Sequence, residues 1–408
     1  MSEKTPIADL SNFDFDELCG AFTIEPGVAY LNHGSFGPSP DVVRRMREQW
    51  SEQLEREPMQ FFVRKLDTAL DTALESLGEF VGCKPGNLAF VPNATVAVNV
   101  VIESFPLTAG DEVLFTDQEY GSVIRGWGRK CSRVGAQTRL VRLPSPPSSP
   151  AEIVDALVEA ISPQTRLIVI SHITSVTATI FPVAEVCRAA HARGVRVCVD
   201  GPHALAMIDL KLRDIPCDYY CASGHKWLSG PFGSGFLYVA SNAKKGLEPA
   251  VLSWGKSLSG RPNRWQDEHH WFGTYDPAPY LTLPTAIDFL KSVGIERFRS
   301  QTHALVRFAR QKLVDEVGAV PLTADDLQWY GSMVTLRLPQ VATASLPPGV
   351  PHPLSLQLWE QYQIEVPIVQ WRDAVHVRVS CHLYNTPRDI ERLVIALREL
   401  IGNSPSGP

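Results

Sequence analysis

The sequence predicts an α/β fold: a large domain with a mostly parallel seven-stranded sheet flanked by helices, plus a smaller α+β C-terminal domain. Three observations predict it. Between residues 40 and 240 short apolar runs alternate with helical periods, the order that lays helices on the faces of a sheet. Several of those runs are almost continuously apolar, as strands covered on both faces are. After about residue 280 the rhythm changes to a long helical pattern followed by alternating strands.

In chain order, Ser39-Pro40-Asp41 reads as a helix start, with a capping serine, proline at the first helical position and an acid near the positive end. Val42, Val43, Met46, Trp50 and Leu54 continue that helix, and Leu66, Leu70, Leu74, Leu77 and Phe80 mark a second. Strands are expected at Leu88–Val91, Glu112–Thr116, 138–143, 166–171, 195–199, 218–221 and Gly235–Val239. The proline- and serine-rich stretch 144–150 reads as a surface loop, because the strand-helix rhythm resumes directly after it. A helix over 281–317, interrupted at Gly294, leads to strands at 333–338 and 376–380 with a proline-rich loop at 347–353 between them. A last helix is expected over 387–401. The expected division is an arm over 1–25 packing with the small domain, a large domain over 26–280 and a small domain over 281–408 that includes the interdomain helix.

Composition narrows the class. With 44% hydrophobic residues in a chain of 408, enough apolar surface can be buried to offset chain entropy, which excludes a disordered or fibrous protein. A net charge of -6 argues against a nucleic-acid partner held by a basic face. No apolar run approaches the roughly 18 residues a membrane span needs. The start, Met1-Ser2-Glu3-Lys4-Thr5 followed by Asp14-Phe15-Asp16-Glu17, lacks the basic-then-apolar order of an export signal, so a cytoplasmic protein is expected. Eight cysteines are too dilute for a disulfide framework, and Cys217 and Cys221 have no second pair at zinc spacing, so no metal site is expected.

The chemistry concentrates in Val197-Cys198-Val199-Asp200-Gly201-Pro202-His203-Ala204 and Ala222-Ser223-Gly224-His225-Lys226-Trp227. Asp200 falls at the carboxyl end of a buried strand, where open α/β sheets bind ligands. Lys226 follows the end of another. Together they could supply a Schiff-base amine and an anionic partner for a protonated pyridine nitrogen, the two protein groups pyridoxal 5′-phosphate (PLP) most needs. Asn93-Ala94-Thr95 follows a strand and opens a helix, and free N–H groups at a positive helix end form an anion site.

These residues resemble the class V branch of fold-type I PLP-dependent enzymes. The similarity is closest to the isopenicillin N epimerase-like group, through Tyr30-Leu31-Asn32-His33-Gly34-Ser35-Phe36-Gly37, Arg56-Glu57-Pro58-Met59-Gln60-Phe61-Phe62 and Ser223-Gly224-His225-Lys226-Trp227. The resemblance implies that Lys226 binds the cofactor and shuttles the α-proton, and that Asp200 pairs with its ring nitrogen. It assigns the phosphate to Asn93, Ala94, Thr95, Ser223 and His225, and the ring face to Tyr120, which otherwise reads as a core tyrosine. Ser171, His172 and His203 would line the pocket. Thr274, after Gly273, would reach the phosphate of a neighbouring subunit, which implies a homodimer with shared active sites. Arg378 would grip the substrate carboxylate in a bidentate fork, near Asn32 and His33 on the N-terminal segment.

The implied partner is a small amino-acid-like substrate, handled at its α-carbon through an external aldimine. Epimerisation or racemisation leads, with His33, His172 and His203 as candidates for the second base. A β-lyase acting on cysteine or its S-conjugates is the alternative, then an aminotransferase, then a non-catalytic PLP-binding partner protein. Sulfur transfer needs a mobile cysteine shortly before the carboxylate-binding arginine. The stretch 364–375 has none, and Cys381 lies beyond Arg378, which argues against a desulfurase.

Overall fold

The computed structural model describes residues 10–347 and 350–402. Residues 1–5, read above for an export signal, the first part of the 1–25 arm, residues 348–349 of the proline-rich loop and 403–408 of the small domain lie outside the described residues. The chain divides into two compact units, Ser39–Ser175 with Phe181–Ser292, and Met1–Pro38 with Val176–Ile180 and Val293–Pro408. Among the described residues, no helix is long and apolar enough to cross a membrane.

The first unit is built on a seven-stranded sheet: β1 (Leu88–Val91), β2 (Glu112–Thr116), β3 (Gln137–Val141), β4 (Thr165–Ser171), β5 (Arg196–Asp200), β6 (Tyr219–Ser223) and β7 (Gly235–Val239). Their order across the sheet is β1-β7-β6-β5-β4-β2-β3. Only β7 runs against its neighbours, and the rest are parallel pairs, so the carboxyl ends of the other six share one edge. The chain steps from β2 out to β3 and returns to β4 on the other side of β2. That reversal opens the crevice in which doubly wound sheets hold ligands.

Six helices of this unit bear on the argument: α1 (Asp41–Arg56), α2 (Leu66–Phe80), α3 (Ala94–Ser104), α4 (Gly121–Val134), α5 (Pro150–Ala160) and α6 (Val183–His191). Val98 and Val101 of α3 and Trp127 of α4 bury against Phe115, Val169 and Leu237 of the sheet. Each such side chain contributes about 1.5–3 kcal/mol by leaving water. The strand expectations hold to within two residues. One differs in kind: β3 is exposed along all but Val141, as the strand at the sheet's edge. At α1 the helix begins at Asp41 with no side-chain cap. Ser39 gives its hydroxyl proton to the Gly230 carbonyl 3.0 Å away, so a long-range partner outcompetes the local cap read from sequence.

The second unit holds a four-stranded antiparallel sheet of β8 (Val320–Pro321), β9 (Met333–Arg337), β10 (Ile368–Trp371) and β11 (Ala374–Ser380), ordered β10-β11-β9-β8. The long helical pattern breaks where expected, at Gly294, whose φ of 87° few other residues adopt. It separates Leu283–Val293 from Ile295–Lys312. Ala29–Tyr30 pairs in parallel with Ile364–Glu365, and Asn32 bridges to Ser380 at the end of β11. The last helix runs Pro387–Gly402.

Candidate active site

The first unit gathers its polar groups at the shared carboxyl edge. Asp200 ends β5, directly beside Ser171 at the end of β4 and Cys221 in β6. Burial raises its carboxyl pKa, and Lys226 pulls it part of the way back. Its Oδ1 is buried with no hydrogen-bond partner. A buried carboxylate oxygen left bare costs desolvation energy unless a donor arrives, and the N–H of a protonated pyridine is such a donor.

Lys226 and Trp227 follow β6. The Lys226 amine lies 3.1 Å from Nε2 of His203, and the Trp227 indole N–H donates to Nδ1 of the same ring at 3.3 Å. The expected Lys226, Asp200 and His203 are therefore brought to one place.

The residues expected at the phosphate lie at and beside a helix start. Asn93 caps α3, its Oδ1 accepting from the Val96 N–H at 3.0 Å. Ser223 accepts from the Ala94 N–H at 2.9 Å, so its oxygen holds the turn in place rather than standing open to a ligand. Thr95 is exposed at the first turn, and neither its N–H nor its hydroxyl has a partner among the described residues. His225 is held neutral, its pKa lowered to about 4 by burial and then by Lys226, and its Nδ1 lacks a partner. Gly235 lets the strands close on this turn, since a Cβ there would meet the Ala222 carbonyl at 2.7 Å and Asn93 Cα at 2.8 Å. The free donors of Thr95 and the bare oxygen of Asp200 fit the phosphate and ring nitrogen of PLP. Tyr120, at the start of α4, is 50% exposed, which removes the core reading and leaves its face open. Thr274 is exposed beside Gly273, whose φ is 124°.

His172 is different. It is buried with its pKa lowered to about 4 by desolvation, and its Nδ1 shares a 2.9 Å hydrogen bond with the Tyr220 hydroxyl. Tyr220 reaches it by passing over Gly201, where a Cβ would lie 2.1 Å from the phenol ring. The pair is a rigid neutral wall.

Glu119 was not foreseen from the sequence. It is buried, its oxygens accepting from the Thr116 hydroxyl at 2.7 Å and from the Ser171 N–H and hydroxyl at 2.8 and 2.6 Å. Burial raises its pKa to about 7 despite those donors, with Asp200 adding to the rise. It ties β2 to β4 across the crevice, and both polar groups of Ser171 are spent on it.

A pH dependence follows. His172, His225 and His269 are lowered to about 4 and His270 to about 3, each chiefly by burial. Unfolded histidines take up protons below about 6.5 while these do not, so stability is lost as pH falls from 6.5 toward 4. Glu119 and Asp200, raised in the fold, act oppositely, gaining protons natively first. Four groups oppose two. The cofactor-free protein is expected to lose on the order of 3 kcal/mol between pH 7 and 5, each pKa unit being worth about 1.4 kcal/mol. Urea unfolding at the two pH values checks this.

The second unit carries the residues expected to meet the substrate. Arg378, in β11 and 4% exposed, donates to the Ser35 hydroxyl at 2.6 Å and Asn32 Oδ1 at 3.4 Å. Asn32 in turn donates to Glu365 at 3.0 Å. The guanidinium is thus aimed by the N-terminal segment. His33 is fully buried, stacked on His382 with ring centres 3.9 Å apart and bonded to the Tyr384 hydroxyl at 2.9 Å. Among the histidines considered as a second base, His203 hydrogen-bonds with Lys226.

Known proteins arrange themselves around this geometry. The family described as Aminotransferase class-V matches residues 35–393. The isopenicillin N epimerase of Streptomyces clavuligerus is 38% identical over 404 residues, covering 95% of this chain and 99% of its own. A probable chloroplastic L-cysteine desulfhydrase of Arabidopsis thaliana is 27% identical over 414 residues, covering 92% of this chain and 84% of its own. Among solved structures, a C-DES variant with glycine covalently linked to the PLP cofactor aligns with a TM-score of 0.77 at 22% identity, covering 91% of this chain and 96% of that one. With the match spanning nearly the whole chain, and with Asp200 and Thr95 offering what PLP requires, the chain belongs to the class-V aminotransferase family of PLP-dependent enzymes.

Proposed function

We propose that this enzyme inverts the α-carbon of an amino acid, or of an α-aminoacyl group on a larger molecule, as an isopenicillin N epimerase-like enzyme. The observation that carries this reading is the 38% identity to the Streptomyces epimerase across almost the whole of both chains. When bound, the cofactor supplies an electron sink for negative charge at the α-carbon. Asp200 holds the ring nitrogen, Tyr120 covers the ring face, and Thr95 and His225 hold the phosphate. Lys226 takes and returns the α-proton, with His203 hydrogen-bonded to its amine and orienting it. Arg378, steadied by Ser35 and Asn32, fixes the substrate carboxylate so that the α-hydrogen is presented in one orientation. Thr274 serves a neighbouring subunit of a homodimer. The eight free cysteines support a reducing, cytoplasmic setting.

A β-lyase is the second reading, favoured by the likeness to the plant desulfhydrase. Sulfur transfer has less support, because Cys381 is fully buried with its thiol pushed well above the ordinary range. A panel of amino acids in deuterated water separates the two. Deuterium at the α-carbon of recovered, inverted substrate without pyruvate is the expected result. Pyruvate released in step with substrate loss would sink the epimerase reading.

A further inference from the structure

Trp227 is fully buried directly after Lys226, and its indole N–H faces Nδ1 of His203 at 3.3 Å. An indole nitrogen donates and never accepts. Nδ1 must therefore be the acceptor and carry no proton, which makes His203 a neutral ring with its one proton on Nε2. That Nε2 lies 3.1 Å from the Lys226 amine. With Nε2–H as the donor, Lys226 must offer a lone pair. An ammonium has none, and an uncharged amine has one.

We propose that Trp227 is a positioning residue that locks His203 in its Nε2–H form and thereby keeps Lys226 a free amine before the cofactor arrives. The inference rests on the reading of Lys226 as the cofactor-binding lysine and is independent of which reaction follows. Asp200 and His225 also interact electrostatically with Lys226. His225 is neutral, whereas the Asp200 carboxylate favours the ammonium, so it is the His203 donor facing the amine that opposes its protonation. The consequence is kinetic. An uncharged amine adds to the aldehyde carbon of the cofactor and one water leaves, whereas an ammonium must first give a proton to solvent.

The test uses cofactor-free full-length protein and free pyridoxal 5′-phosphate. Nitrogen-resolved NMR of the histidine rings, with His203→Gln to assign the signal, should show His203 as the Nε2–H tautomer. In Trp227→Phe the ring should become a tautomer mixture. The pH midpoint for cofactor capture should rise by about one unit, making capture roughly tenfold slower at neutral pH. In a His203→Gln background, Trp227→Phe should leave the midpoint unmoved, since its effect runs through the imidazole. An Nδ1–H tautomer in the wild-type protein overturns the proposal, even if Trp227→Phe does not fold. So does an unchanged midpoint in Trp227→Phe with the cofactor trapped on Lys226. Trapping on a different lysine removes the Lys226 reading itself, and this inference with it.

Discussion

Lys226→Ala is expected to abolish covalent retention of the cofactor and to reduce turnover by at least about 10³-fold, toward the upper range for losing a proton-transferring group and a nucleophile together. The amine sits 3.1 Å from His203 Nε2 and acts on the buried Asp200, and no other lysine among the described residues shares that setting. Because Lys226 is only partly buried and follows β6, its removal leaves the sheet intact. Unfolding free energy should therefore change by less than about 1 kcal/mol. Visible absorbance after gel filtration and a urea melt separate chemistry from folding.

Asp200→Asn carries the second large effect. Asparagine keeps the shape but not the charge, so the ring nitrogen loses the anion that keeps it protonated, and turnover should fall by about 10²–10³-fold. Stability should move the other way. Burial penalises the charged carboxyl, and its Oδ1 has no partner, so the cofactor-free variant should be as stable as the wild type at neutral pH, or more so. An aspartate that merely capped backbone groups would behave differently, costing stability on substitution while leaving turnover nearly intact. Turnover and urea midpoint, measured on the same preparation, decide between the two.

What the sequence discloses is governed by locality. Asp200 and Lys226 are legible because each follows an apolar run that can only be a buried strand, and the ends of such strands form ligand edges. Gly294 is legible because a helical period cannot pass through it at low cost. Glu119 is not. An acid between Gln118 and Tyr120 after a strand reads as a solvated turn, and its partner Ser171 is brought to it only by the reversal of strand order between β2 and β4. The Trp227–His203 contact likewise joins the ends of neighbouring strands, and the Tyr220–His172 contact reaches from β6 past β5 to the end of β4, in both cases between residues far apart along the chain. Gly201 shows the same limit: its sequence context suggests a turn, while its necessity comes from the Tyr220 ring crossing above it. Ser39 read as a cap because capping is a local rule, and it lost that role to the distant Gly230 carbonyl. In the second unit, the arginine stands out on an alternating strand, but its support by Ser35 and Asn32 depends on the N-terminal segment bridging to Ser380.

The central claim is that Lys226, at the carboxyl edge beside Asp200 and His203, is where the cofactor attaches. Borohydride reduction of the cofactor-loaded enzyme followed by peptide mapping tests it most directly. One pyridoxyl group per chain on Lys226 is the predicted result, and a reduced adduct on any other lysine would contradict it.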